Sequence, residues 1–265
     1  MTVIHPTAII DKKAELDSTV TVEPNAVIGA GVKIGANTII GANVVIQGDT
    51  EIGADNKIYP GAAIGLDPQD LKYKGAKTGL KIGDRNLIRE FVTLNRATAE
   101  GEYTIIGNDN LLMAYVHVAH NCIIKDRVVI ANSVSLAGHV QVDSKAVIGG
   151  MLGVHQFVHI GTMAMLGGMS RIERDVPPFM LVEGNPSRVR ALNSVALKRN
   201  NFTPEEIKEL KEAYRILYRS GLTLAHALEK LSSIAVNEKI KTLYDFMVTS
   251  STDSSRRGPI PGNKK

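Results

Sequence analysis

From Ile4 onward an aliphatic residue returns at every sixth position. The phase runs through Ile10, Leu16, Val22 and Ile28 to Ile172, and it fails only at Asp70, Ala76 and Glu100. Gly, Asp or Ala often follows the aliphatic residue, as in Ile34-Gly35 and Ile40-Gly41, and a small or branched residue often sits four places after it. A period of six is neither the 3.6 of a helix nor the alternation of an ordinary strand. It predicts a mainly β fold, a parallel β-helix in which each hexad makes one short strand and one turn. The aliphatic residue points inward, and Gly, Asn and Asp serve the turns. Three hexads close one triangular coil, so residues 18 apart stack on coils about 4.8 Å apart. A sandwich of ordinary strands has no reason to hold one phase from Ile4 to Ile172.

The three failures mark excursions. An inward Asp70 would be a buried, unpaired charge. The segment from Asp70 to Leu80 is therefore expected to leave the prism as a loop, and residues 99–103 as a smaller one. After Ile172 the hexads stop, and Asp175-Val176-Pro177-Pro178 and Gly184-Asn185-Pro186 punctuate the exit. Helices are expected over Ser187–Arg199, from Thr203-Pro204-Glu205-Glu206 to Gly221, over Leu224–Leu231, and from Asn237 to about Met247. The second of these opens with a Thr N-cap, Pro at N1 and Glu at N3. The division is a β-helix over 1–185, a small helical domain over 186–249 capping one end of the prism, and a Ser-, Gly-, Pro- and Lys-rich tail over 250–265 expected to be disordered.

Stacking converts the sequence into a map of side chains. His120, Gly138 and Gln156 form one column, with Asn121, His139 and Phe157 in the next and His155 one place to the other side. Four of the seven histidines, His117, His120, His139 and His155, fall between Leu112 and Gln156, and the last three meet on one prism edge. Converging imidazoles allow general-base catalysis or a zinc site; unrelated surface histidines are the bland alternative. Base catalysis is preferred to metal because no Asp or Glu is expected in the same columns to orient the rings. Gly138 beside His120 suits an oxyanion hole, or merely fits a tight turn. Lys72, Lys74 and Lys77 beside Asp70 can contact a phosphorylated or hydroxyl-rich ligand, or form a solvated loop. His5 and His226 look incidental, and His159 lies outside the cluster.

Composition narrows the classes further. The single cysteine, Cys122, excludes a disulfide framework and a cysteine-based metal site, which suits a reducing, cytoplasmic setting. The N-terminus lacks the basic and apolar regions of a signal peptide, and no apolar run is long enough to span a bilayer. A net charge of +4 is too mild and diffuse to argue for nucleic acid. Gly-x-Gly-x-x-Gly after a strand, P-loop and Gly-x-Ser-x-Gly motifs are all missing.

Several blocks carry a closer likeness: Gln69-Asp70-Leu71-Lys72-Tyr73, Asn110-Leu111-Leu112-Met113 with His117-Val118-Ala119-His120, Leu136-Ala137-Gly138-His139-Val140, Ile148-Gly149-Gly150-Met151 with Val154-His155-Gln156-Phe157, and Asp175-Val176-Pro177-Pro178. With these, the chain from Met1 to about Met247 resembles the UDP-N-acetylglucosamine O-acyltransferases of lipid A biosynthesis, within the hexapeptide-repeat acyltransferase superfamily. The resemblance implies a left-handed parallel β-helix, against the usual crossover rule, and a homotrimer with its active site between neighbouring prisms. It implies transfer of an (R)-3-hydroxyacyl group from acyl carrier protein to the 3-hydroxyl of UDP-N-acetylglucosamine, with no cofactor and no metal. His120 matches the general base and Gly138 the oxyanion-binding N–H. Asp70, Lys72, His117, His139, Gly150, His155 and Gln156 match positions that bind or position substrate. Gly168 matches one near the far end of the acyl channel, and Arg199 a basic residue of carrier-protein or nucleotide binding. The chain departs from the family at Asn121, where Asp is frequent, and at Asn200, where a second Arg is frequent. The runner-up is a hexapeptide N-acyltransferase for an amino sugar nucleotide; its lipid A example carries an extra N-terminal domain, whereas here the hexads begin at Ile4. A non-catalytic or metal-binding β-helix, such as a carbonic-anhydrase-like trimer, is the alternative from another class.

Overall fold

The computed structural model describes residues 3–234 and 237–262. Among these, short parallel strands from Val3–Ile4 to Arg171–Ile172 build the three faces of a prism. The faces are sheets of eleven, nine and eight strands, the first including Met180–Glu183 and Arg188–Leu192 beyond the parallel run. The chain visits them in rotation, each strand pairing with the one a full coil away, as in Val129↔Val147 and His117↔Ser135. This is the left-handed form of the parallel β-helix that the period of six predicts.

The interior explains the period. The phase residues Ile40, Ile64 and Ile124 are fully buried, and so are Val44, Val128 and Val140 four places after phase residues. Each hexad thus sends two side chains inward around one turn. Removing one such Ile leaves a cavity worth about 2–5 kcal/mol. The same inward position holds Asn56, Asn86 and Asn110, all buried. Asn86 N–H and Nδ2 donate to Asn56 Oδ1 at 2.9 and 3.0 Å, and Asn110 N–H donates to Asn86 Oδ1 at 2.9 Å. The corner residue of most hexads adopts positive φ, including Asn121 (59°), His139 (60°) and Phe157 (65°). That conformation costs a non-glycine residue about 1–2 kcal/mol, and here it turns those side chains outward at a prism edge.

Both excursions are present but end earlier than expected: Gly79 and Leu80 already belong to strand Gly79–Ile82, with Leu80 fully buried, and Tyr103 opens strand Tyr103–Ile106, because their aliphatic neighbours return to the core. Strand Ala63–Leu66 pairs with Thr93–Asn95 at a separation of 30 residues, and Thr93–Asn95 with His117–Val118 at 24, in place of 18. Twelve and six extra residues therefore leave the prism. The larger loop is tied down by Arg96, which donates to Gly65 O at 2.9 Å and to the Tyr73 hydroxyl at 2.9 Å, and by Asn95 Nδ2 on Asp67 O at 2.6 Å. The two loops also hold each other: Lys77 N–H donates to Glu100 Oε2 at 2.7 Å, and Gly101 N–H to Lys77 O at 2.9 Å.

The C-terminal part differs from expectation in two places. The helix expected over Ser187–Arg199 is instead a strand, Arg188–Leu192, followed by a short helix α1, Ser194–Arg199. The strand runs antiparallel to Met180–Glu183 and closes one edge of the eleven-stranded sheet. Val189 and Leu192 are buried there, so sheet pairing overrides the helical propensity of the segment. Helices α2 (Pro204–Arg219), α3 (Leu224–Ser232) and α4 (Glu238–Thr252) follow. Thr203 and Glu206 form the expected capping box.

The second correction concerns the tail. Residues 250–252 continue α4, and residues 253–262 pack back onto the prism end. Ile260 is buried, and Asp175 pairs with Pro259 in a parallel bridge. The anchor is Asp175, fully buried, which accepts from Ser250 Oγ (2.7 Å), Arg256 Nε (3.3 Å) and the His159 N–H (2.9 Å). Composition reads as disorder because a run of Ser, Gly and Pro has no hydrophobic period; one buried Ile and one buried carboxylate are enough to fix it. The expectation for residues 263–265 lies outside the described residues.

Candidate active site

Regular stacking delivers the histidines where the column map put them. The His120 and His139 rings meet edge to face at 5.2 Å between centroids, and His139 stacks on Phe157 at 4.7 Å. They sit at the corner between the nine- and eight-stranded sheets. His155 lies on the next coil, exposed, with Nδ1 3.2 Å from Gln156 O. His117 opens its strand on the nine-stranded face, and its Nδ1 lies 2.7 Å from Thr93 Oγ1. Burial lowers the pKa of His117. Burial, then the neighbouring His120, lowers that of His139. Both shifts favour the neutral imidazole.

An open cleft of about 780 Å³ runs along this edge. Asp70, Lys72, His117, His120, Gly138, His139, His155 and Gln156 all line it, joined by Gln69, Arg171 and Glu173. Asp70 reaches it from the long loop. Its Oδ1 accepts the Lys72 N–H at 2.9 Å, which tightens the loop tip, and its Oδ2 stands 3.8 Å from His120 Nε2. Gly150, Gly168 and Arg199 do not line this cleft. Gly150 and Gly168 stack at the neighbouring corner, where Met169 N–H donates to Gly150 O at 2.9 Å. Arg199 is exposed in the last turn of α1, and the side chain of Asn200 caps that helix by donating to Ala196 O at 2.9 Å.

The ring of His120 lies directly over Gly138. A Cβ at that glycine would stand 2.5 Å from Cε1 and 2.6 Å from Nε2. Glycine is thus required there for the imidazole to occupy its place. Among the described residues the Gly138 N–H donates no hydrogen bond, whereas the His139 N–H is taken by His120 O at 3.0 Å.

The Nδ1 edge of the imidazole is fixed by Asn121. Its Oδ1 lies 2.9 Å from His120 Nδ1 and accepts the Thr98 N–H at 3.2 Å. Its Nδ2 donates to Glu102 Oε2 at 2.6 Å, and its own N–H donates to Thr104 Oγ1 at 2.8 Å. A backbone N–H can only donate and an ionised carboxylate can only accept. The Asn121 amide therefore has one possible orientation, and an oxygen facing Nδ1 requires that Nδ1 carry the proton. His120 Nε2 is then a free lone pair at the cleft, the form a base needs.

Glu102 corrects the expectation that no acid stands in these columns. Stepping back 18 residues from His120 lands on Glu102, and the pairing Ile105↔Ile123 confirms that register. The position escapes notice because it lies in the smaller loop, where the hexad phase has just failed at Glu100. Asp70 brings a second carboxylate, from a loop whose tip no periodicity can place. Among the described residues no group of three or more His, Cys, Asp or Glu is arranged to hold a metal ion. Cys122 is buried, and burial pushes its thiol up to about 12. His159 is elsewhere, 2.9 Å from Asp143 Oδ2 and against Phe246.

Known proteins resemble this chain over most or nearly all of its length. The family described as UDP N-acetylglucosamine O-acyltransferase, domain 2, matches residues 175–260, and the bacterial transferase hexapeptide family (six repeats) matches 31–66 and 103–138. An acyl-(acyl-carrier-protein)–UDP-N-acetylglucosamine O-acyltransferase of Gloeothece citriformis is 64% identical over 207 residues, 78% of this chain and 75% of that one. One of Alkalilimnicola ehrlichii is 53% identical over 252 residues, 94% and 98% of the two chains. The crystal structure of UDP-N-acetylglucosamine O-acyltransferase from Moraxella catarrhalis superimposes with a TM-score of 0.92 at 43% identity, over 97% of this chain and 99% of that one. With its prism, its histidine edge and this degree of identity, the chain belongs to the acyl-(acyl-carrier-protein)–UDP-N-acetylglucosamine O-acyltransferase family.

Proposed function

We propose that this protein transfers an (R)-3-hydroxyacyl group from acyl carrier protein to the 3-hydroxyl of UDP-N-acetylglucosamine, the first step of lipid A biosynthesis, with His120 as general base. The observation that carries the mechanism is the His120 ring, which presents a free Nε2 to the cleft while Nδ1–H is held by Asn121. Nε2 takes the proton of the sugar hydroxyl as its oxygen attacks the thioester carbonyl. The oxyanion of the tetrahedral intermediate accepts from the Gly138 N–H. Collapse breaks the C–S bond, and the imidazolium returns its proton to the departing phosphopantetheine sulfur. His120 ends neutral, as it began. No cofactor takes part, since the acyl group arrives already activated on the carrier protein. Asp70 and Lys72 at the loop tip bind the sugar nucleotide, with His117, His139, His155 and Gln156 along the cleft floor. Gly150 and Gly168 line the acyl path at the neighbouring corner, and Arg199 receives the carrier protein or the nucleotide.

The working unit we infer is a homotrimer in the cytoplasm. The corner that carries Gly150 and Gly168 also presents Phe91, Tyr115, Met151 and Met169 in one exposed column, interrupted by Ser133, with Phe91 and Tyr115 stacked at 5.3 Å. An exposed apolar strip of this kind marks a contact surface, and a second prism against it would enclose an acyl chain that one convex edge cannot. No helix among the described residues is long and apolar enough to cross a membrane. The test of the mechanism is His120→Ala. The variant keeps its thermal transition and loses turnover by roughly 10²-fold or more, as for a missing general base; turnover close to the parent protein refutes the assignment.

A further inference from the structure

We propose that Glu102 is a positioning residue for the reaction, acting through Asn121 to set the tautomer and orientation of His120. The inference rests on the reading of His120 as the base, and the experiment below separates the two. Three observations support it. Glu102 lies one coil from His120 in the same column, with its carboxylate 2.6 Å from Asn121 Nδ2. Its backbone is fixed at both groups, N–H to Ala99 O and C=O from Gly79 N–H, each at 3.0 Å. The loop around it is fastened to the long loop through Lys77 and Glu100. The carboxylate is thus held in place although its side chain is exposed.

The physical need is specific to an Asn at 121. A carboxylate there would present an acceptor to Nδ1 whichever oxygen faced the ring. An amide has one acceptor end and one donor end, and flipping it would turn an NH₂ toward Nδ1. The ring would then move its proton to Nε2, and the base would be lost. Thr98 N–H opposes the flip from one side at 3.2 Å, and Glu102 opposes it from the other by accepting from Nδ2. The remaining charged or titratable groups facing His120 are Asp70 at 3.8 Å and His139, and neither touches the Asn121 amide. Glu102 also places a negative charge one residue behind Nδ1, where it favours the imidazolium that forms during the reaction.

Four variants of the full chain test this: Glu102→Ala, Glu102→Gln, Asn121→Asp and the double variant Asn121→Asp/Glu102→Gln. Each is assayed for kcat and KM with acyl carrier protein thioester and UDP-N-acetylglucosamine, and its histidine tautomers are read from long-range ¹H–¹⁵N spectra. Glu102→Ala is expected to lower kcat about tenfold, a moderate loss because Thr98 still holds the amide, with KM unchanged and His120 becoming a mixture of tautomers. Glu102→Gln keeps an acceptor for Asn121 and should retain most of the activity. Asn121→Asp sets two carboxylates against each other and should lose activity. Adding Glu102→Gln should restore it, because the Gln amide can donate to the new carboxylate. Parent-level kcat or an unmixed Nδ1–H tautomer in Glu102→Ala overturns the proposal, as does equal activity of Asn121→Asp with and without Glu102→Gln. The tautomer is read without turnover, so a His120→Ala protein that stays active would overturn the base assignment while leaving the positioning geometry separately measurable.

Discussion

Adding one methyl group at residue 138 isolates the placement of the imidazole from everything else in the cleft. In Gly138→Ala the new Cβ would stand 2.5 Å from His120 Cε1, about 1 Å inside ordinary contact. The backbone at 138 is not in the left-handed region, so Ala is allowed there and the ring must yield. Its retreat is limited by the 2.9 Å contact to Asn121. Moving about 1 Å sacrifices that hydrogen bond, a stability cost of about 1 kcal/mol, or a few degrees at most in Tm for a chain of this size. The cost in rate is larger, since a misplacement of about 1 Å in a reacting group can lower turnover on the order of 10²-fold. The N–H of residue 138 survives the substitution, so oxyanion binding is not the group removed. Initial rates with saturating sugar nucleotide and carrier-protein thioester, beside a thermal melt, measure both quantities. Gly138→Ala with parent-level kcat would mean that Nε2 does not act from the position it occupies over Gly138, and the mechanism would fall. A collapse in Tm with proportionate loss of folded protein would show instead that the glycine serves the coil.

Other outcomes follow from the same geometry. Asp70→Ala and Lys72→Ala should raise KM for UDP-N-acetylglucosamine and leave Tm nearly unchanged, because both sit at a loop tip outside the core; a large stability loss at normal KM would make the loop structural. Asp175→Ala should lower stability by about 3–5 kcal/mol, because Arg256 is left half-buried without its partner and the strap over the prism end is released; urea unfolding showing a change under 1 kcal/mol would contradict this. Sedimentation should give a trimer of the 28.6 kDa chain, and a fully active monomer would refute the intersubunit cleft. Stability should fall as pH drops below about 6.5. His117 and His139 have lowered pKa values in the folded state, so the unfolded chain binds protons first and acid favours it. Replacing both by Asn should flatten the melt profile between pH 7 and 5, and an unchanged slope would assign the acid sensitivity elsewhere.

The sequence by itself determined the prism, because a closed coil allows only a few side chains inward per turn, and a residue that must be inward on every turn leaves a period that no other fold requires. It also determined the histidine edge, because His120, Gly138 and His139 lie in coils without insertions, where a difference of 18 in number is one step in space. Glu102 was equally within reach of that rule and was hidden only by the broken phase beside it. The tertiary structure decided what the period does not govern. Asp70 comes within 3.8 Å of His120 because Arg96 and Asn95 pin a twelve-residue loop, and such anchors are single side chains without a repeat to announce them. Arg188–Leu192 is a strand because the last parallel strand offered an unpaired edge, a fact about a neighbour rather than about those five residues. Residues 253–262 are ordered because Asp175, some eighty positions earlier, is buried beneath them and needs Ser250 and Arg256. Local pattern governs whatever repeats; contacts made once between distant segments exist only in the folded chain.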